Sequence, residues 1–232
     1  MSVPEEYVGN ALTLYYDGTL MYDIRITLKQ LYGYSPTRAT VHLWINKYRN
    51  KALNVYSNYF PQVSSFWIAS LTVIKINRKN FWQYDILDEK THFLLATVIT
   101  LKRSQEAIRT LMQKAIKIAD KIPRVVIGSM FDTYLDRNKK AFGCDVEHIQ
   151  SKKHLSEYNI EIINCLDRVF FRRRNILKHL RTLKTMNEFS EAWIIDYNYF
   201  KPDLLLSHQT PAEAAGIKYQ PKSWEDIVKW NL

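Results

Sequence analysis

The chain has 232 residues, 47% of them hydrophobic, enough to bury one full core and a small satellite domain. Aromatics make up 13%, with fifteen Tyr and six Trp, which argues against disorder, and the longest apolar runs, such as Phe93 to Ile99, are far too short for a bilayer. The net charge of +10 favours polyanionic partners, while an N-terminus without a basic region and apolar core predicts a soluble, cytoplasmic protein that is not secreted.

Residues 4–16 carry Val8, Leu12 and Tyr15 or Tyr16 at helical spacing, and Asp17-Gly18-Thr19 is a turn with a helix start signal. Residues 20–32 form a second helix, with Leu20, Ile24, Leu28 and Leu31 on one face. After Gly33, Ser35 fits an N-cap and Pro36 a first-turn proline, launching a third helix over 37–49. There Val41, Trp44, Ile45 and Tyr48 form the apolar stripe, while Arg38, Thr40, His42, Asn46, Lys47 and Arg49 project elsewhere. Three short helices ending in a polar, basic one predict a helix-turn-helix domain over 1–50, whose last helix fits a major groove. Asn, Ser, Tyr and Pro61 then break the periodicity, which marks 51–65 as a linker.

A different rhythm follows. Strands are predicted over 67–76, 81–87 and 91–99, joined by tight turns at 78–80 and 88–90, hence an antiparallel meander. Residues 104–120 form an amphipathic helix with Ile108, Leu111, Met112, Ala115 and Ile116 on its buried face, and 124–128 a short apolar strand. A helix over 131–141, a strand at 146–150 and helices over 156–183 and 187–206 complete the order βββαβαβα, that of the ribonuclease H-like fold. The fold class is thus α+β, or α/β: an all-α domain followed by a core with a mixed five-stranded sheet flanked by helices over 66–217, then a tail at 218–232.

Two further features bear on function. Cys144 and Cys165 are the only cysteines, and with His148 and His154 they lack the tight paired spacing of a zinc site, so no metal site is expected from them. Between Arg168 and Lys184 there are seven Lys or Arg and no acid, a stretch that would repel itself without an anionic partner.

Tyr197-Asn198-Tyr199-Phe200-Lys201-Pro202 and Thr210-Pro211-Ala212-Glu213-Ala214-Ala215-Gly216 resemble the YNFxRPH and TPAEAAG motifs of DDE transposases of the insertion-sequence-six type, found in bacteria and archaea. His148-Ile149-Gln150 resembles the segment before that family's last catalytic helix, and Asn164-Cys165-Leu166-Asp167-Arg168 its N-x-I-E-R. Residues 11–16 and 41–44 are similar to its helix-turn-helix, so the resemblance runs from about residue 8 to 217. In that family three carboxylates hold two divalent metals for strand transfer. The resemblance places Ser70, Ser129 and Asp167 at those positions, so two of the three carboxylates are serines and the third is a methylene shorter than glutamate. A serine hydroxyl supplies neither the charge nor the ligation that magnesium needs. The triad is therefore degenerate, with no catalytic residue, metal or cofactor expected. A working enzyme would need displaced acids and magnesium. Asp85, which interrupts an apolar strand, fits a rescued ligand, a solvent-facing edge position or a pair with a nearby Lys. Asp132 fits a first-turn helix residue as well as a ligand.

The resulting expectation is a domesticated, catalytically inactive transposase relative that binds double-stranded DNA as a homodimer, with a regulatory or chromosome-architectural role. It would be nucleoid-associated, with no membrane and no small-molecule substrate. Arg38, Thr40, His42, Lys47 and Arg49 are the candidate groove contacts, and Arg172, Arg173, Arg174, Lys178 and Arg181 a second positive surface. An active transposase or nuclease with displaced carboxylates is the competing expectation, and a decaying copy without a role the third.

Overall fold

The computed structural model describes residues 3–128, 146–149 (147–149 as backbone) and 173–230. Helix α1 spans Glu5–Tyr16, with Glu5 and Glu6 complementing its N-terminal dipole. Helix α2 spans Met21–Tyr32 and α3 spans Arg38–Tyr56. The cap of α3 is Thr37, whose Oγ1 accepts from the Thr40 N–H at 3.1 Å, so Ser35 and Pro36 lie before the cap. The helix also passes the stop expected at residue 49. Ala52 and Tyr56 extend the buried stripe of Val41, Ile45 and Tyr48 by two further turns, and burial outweighs the weak helix propensity of Asn, Val and Tyr. The first part of the expected linker is therefore helical.

The chain then enters a mixed sheet of order β3-β2-β1-β4-β5. Strands β1 (Phe66–Ile76), β2 (Lys79–Asp88) and β3 (Leu94–Thr100) form the antiparallel meander. Strand β4 (Val125–Ile127) pairs parallel to β1, and β5 (Glu147–Ile149) parallel to β4. The third strand begins at Leu94 rather than 91 because Asp88 holds the preceding turn. Its carboxylate accepts from the Thr91 N–H at 2.9 Å, the Thr91 hydroxyl at 2.8 Å and the Ser64 N–H at 2.7 Å, while His92 adopts φ 55°. Helix α4 (Gln105–Ala119), capped by Ser104, lays Ala107, Ile108, Leu111, Met112 and Ala115 against the meander.

The expected helix over 131–141 lies outside the described residues. Of the one expected over 156–183, residues 173–177 are described and helical, followed by a turn. A new helix, α5 (Leu183–Ile195), starts where Thr182 caps it through the Thr185 N–H at 3.1 Å, then continues into a π turn over Asp196–Phe200. The boundary expected near 187 thus sits at a threonine cap, and the basic run is split by a turn. Short helices α6 (Pro211–Ala214) and α7 (Trp224–Lys229) follow, so the segment expected as a tail contains a helix. Among the described residues no helix is long and apolar enough to cross a membrane.

Beta3 is an edge strand, and edges invite unwanted pairing. Two asparagines close it. Asn187 accepts from the Ile99 N–H at 3.0 Å and donates to its carbonyl at 3.1 Å, and Asn198 treats Leu94 the same way at 2.9 and 3.0 Å. Positions 187 and 198 lie about 16 Å apart along a helix, and residues 94 and 99 about 16 Å apart along a strand, which is why both clamps close together.

The three N-terminal helices pack on this core. Tyr16 stacks between Trp224 (4.4 Å) and Phe189 (5.6 Å), and Arg49 pairs with Glu188 at 3.2 Å. One hydrophobic cluster runs from Val8 to Val228. Alpha1 meets α7 at Gly9, where an added Cβ would lie 2.6 Å from Glu225 Cα. Backbone cannot yield as a flexible side-chain tip can, so Gly9→Ala should destabilise the fold by about 1–3 kcal/mol, read as a lower urea midpoint with an unchanged m-value.

Candidate functional site

Ser70 sits in β1 directly opposite Asp85 in β2, and Asp85 sits opposite Thr97 in β3. Directly paired residues share a face, so Ser70, Asp85 and Thr97 form one row across the sheet, with Gln83 two residues along. Asp85 and Arg173 are both 0% exposed. Arg173 Nη2 lies 2.6 Å from Asp85 Oδ2, Gln83 Nε2 donates to the same oxygen at 2.6 Å, and Arg173 Nη1 is 3.5 Å from Thr97 Oγ1. The guanidinium also lies 4.5 Å over the Trp193 ring. A buried carboxylate is costly unless paired and hydrogen-bonded, and here it is both.

Two expectations change at this point. Asp85 neither faces solvent nor pairs with a lysine; it is an interior residue whose counter-charge is an arginine. Arg173 is not part of a DNA-facing surface, because its side chain is fully enclosed.

The magnesium pair that the resemblance implies does not fit the donors around Ser70 among the described residues. They are a hydroxyl, an amide and a carboxylate already held by a guanidinium, and a second cation beside that guanidinium would be repelled. Among the described residues no group of three or more His, Cys, Asp or Glu could hold a metal ion. Ser70 Oγ is buried and has no hydrogen-bond partner among the described residues. Beside it, β4 presses close to β1: a Cβ on Gly128 would lie 2.3 Å from the Ala69 carbonyl oxygen. Ser129, Asp132, Asp167 and Arg172 lie outside the described residues.

The remaining candidate contacts divide by environment. Arg38, His42 and Lys47 are exposed on α3, beside Leu43 at 66% exposure. Thr40 is engaged with the Thr37 cap through a 2.8 Å hydroxyl contact. Arg49 is half-buried in its pair with Glu188, joining α3 to α5. Lys178 and Arg181 are exposed and Arg174 is half-buried. The two basic regions, distant in sequence, meet in space. Asn175 Nδ2 donates to the Gly18 carbonyl at 3.0 Å, and a cavity of about 270 Å³ lies between α2, Arg38 and residues 176–180.

The tail motifs do structural work that the sequence reading did not assign. Asn198 is one edge clamp, and the Tyr197 hydroxyl donates to the His92 carbonyl at 3.1 Å. Thr210 and Glu213 form a reciprocal capping box at α6, and the Tyr219 hydroxyl donates to the Tyr199 carbonyl at 2.6 Å. Asp203 contacts His92 Nδ1 at 2.7 Å; burial opposes its ionisation, but hydrogen bonds from His92 and the Leu205 N–H hold its carboxyl below the usual value.

Asp196 is the opposite case. Burial pushes its carboxyl from 3.8 to about 7, against the lowering influence of Lys201 at 3.9 Å and the Trp224 indole N–H, which donates at 2.8 Å.

No protein-family model matches the chain, and no curated protein matches it. Among solved structures it is similar to a chain of the simian T-cell lymphotropic virus intasome in complex with the PP2A regulatory subunit B56 gamma. That match has 10% identity and a TM-score of 0.49, and covers 71% of this chain and 59% of that one. It is also similar to the HTLV-2 integrase catalytic core domain in complex with magnesium (14% identity, TM-score 0.45, 67% of this chain and 97% of that one). The catalytic core domain of BIV integrase is a third (11% identity, TM-score 0.45, 66% of this chain and 93% of that one). The chain thus spans less than two thirds of the first of these.

The buried pair makes a direct prediction. Arg173→Met leaves Asp85 as an uncompensated interior charge and should cost about 3–5 kcal/mol in chemical denaturation, whereas the double variant Asp85→Leu/Arg173→Met should regain most of it. Asp196 makes another. Its folded pKa is raised, so the folded state disfavours ionisation; this cost is absent below about pH 4, grows as pH rises and is complete above about pH 7. Asp196→Asn should flatten that decline in a series of melting temperatures between those limits.

Proposed function

We propose that this chain is a transposase-derived protein with a ribonuclease H-like core that binds duplex DNA and does not cut it. The observation that carries the silent half is the Asp85–Arg173 pair. A working site with relocated acids would draw on Asp85, the acid opposite Ser70, and that carboxylate is already neutralised inside the protein. The degenerate identities Ser70, Ser129 and Asp167 support the same reading, as does the counter-charge that Arg173 already supplies to Asp85, although Asp85 Oδ1 itself has no hydrogen-bond partner among the described residues.

The binding half rests on the exposed cations. Arg38, His42 and Lys47 line the outer face of α3, which would enter a major groove in the helix-turn-helix manner, while Lys178 and Arg181 would hold phosphates beside it. Homodimerisation on paired half-sites is what the transposase resemblance implies, and a nucleoid location with a regulatory or architectural role is what DNA binding without cutting would mean.

Fluorescence polarisation with duplex DNA across a salt series tests the binding. Lys178 and Arg181 as phosphate contacts would each add about one unit to a negative log–log slope, so Lys178→Gln/Arg181→Gln should make it shallower by about two. Binding that ignores salt sinks the DNA reading. Isothermal titration with magnesium or manganese should show no tight two-metal site, and a stoichiometric pair of metals with strand cleavage would establish the active alternative instead.

A further inference from the structure

We infer that the cavity between α2, Arg38 and residues 176–180 receives one unpaired nucleotide of the bound DNA, an inference that rests on the DNA-binding reading above. Of the lining residues, Tyr15 and Ile176 are buried and Leu20, Met21 and Leu180 half-buried, which makes the inner side of the cavity apolar. Around it stand Tyr22, 68% exposed, with Arg25, Arg38 and His179, and among the described residues no acidic side chain lines the space. An apolar floor with an aromatic and cationic rim suits a ligand that is flat and weakly polar on its face and anionic at its edge. A nucleobase with its attached phosphate has that chemistry: the face stacks and the phosphate meets arginine.

Size and placement narrow the occupant. At about 270 Å³ the cavity lies at or below the low end of small-molecule sites, roughly 300–1,000 Å³, so it admits a single base and not a longer segment. It lies where the two basic regions converge, so DNA held by α3 and by the 178–181 turn would pass its mouth. Arg25 is anchored there, since its Nε donates to the Pro36 carbonyl at 2.5 Å and its terminal nitrogens remain for a phosphate. His179 Nδ1 is held by the Asn175 carbonyl at 2.8 Å, which leaves Nε2 for a base edge. A base inside a duplex cannot reach such a space, whereas an unpaired one avoids the cost of unstacking and unpairing.

The test compares a blunt duplex with the same duplex carrying a single unpaired 2-aminopurine at one end. The unpaired form should bind about tenfold tighter, with a change in 2-aminopurine emission on binding. Tyr22→Ala and Leu180→Ser should each remove most of that preference while leaving blunt-duplex affinity within about twofold. Tyr22 is exposed, so its variant should melt as the wild type does. Equal affinity for the two duplexes with unchanged emission would falsify the inference and leave DNA binding intact. Failure to bind either duplex would overturn both readings. Adenosine monophosphate that saturates the protein at lower concentration than the unpaired duplex would overturn the DNA source and assign the cavity to a free nucleotide.

Discussion

A carboxylate sealed within a sheet must find a positive charge nearby, and Asp85 finds it in Arg173, far along the chain. That pair organises the interior around Ser70. It ties β2 to the helical segment at 173–177, brings the guanidinium onto Trp193 of α5, and engages Gln83 and Thr97 on neighbouring positions of the same face. Here the neutralising charge is covalently part of the chain and cannot exchange with solvent. The interior charge therefore does not depend on metal supply.

The second organising device is the treatment of the sheet edge. Helix α5 and its π turn supply Asn187 and Asn198, whose amides each present a donor and an acceptor to one strand residue, as a neighbouring strand would. The motif containing Tyr197 and Asn198 is thus accounted for by architecture, with Tyr197 securing the turn before β3 and Asn198 the start of the strand. The edge needs this closure whatever stands at positions 70, 129 and 167, so the clamp is independent of those residues.

Much of the strand order was legible because each run of β-branched and aromatic residues is bounded by a polar turn. Asp85 was conspicuous as an acid in an apolar run, but its partner was hidden in a block of arginines that reads as solvated surface. A signal was present: Arg173, Ile176, Leu177 and Leu180 recur at helical spacing, which puts Arg173 on the apolar stripe rather than the polar face. The end of α3 was misplaced because Asn50, Asn54 and Ser57 read as breakers, although Ala52 and Tyr56 keep the phase of the buried face. Trp224 in the supposed tail was likewise an apolar anchor, one whose partners on α1 and in the π turn no local pattern could name. Of the candidate site, Ser70 was legible from its position in the first strand; the groups facing it depend on strand register and long-range packing, which are global properties.

The close approach of Gly9 to Glu225 has a consequence for how such a molecule would measure DNA. With α1 fastened against α7, Tyr16 wedged between Phe189 and Trp224, and α3 joined to α5 through Arg49, the outer face of α3 holds a set orientation to the sheet. Proteins that hang a recognition helix on a slack tether can serve sites at many separations. A rigid mount forgoes that latitude, so on the proposed reading of a DNA-binding dimer the two copies would act as callipers set to a single rotational phase of the double helix.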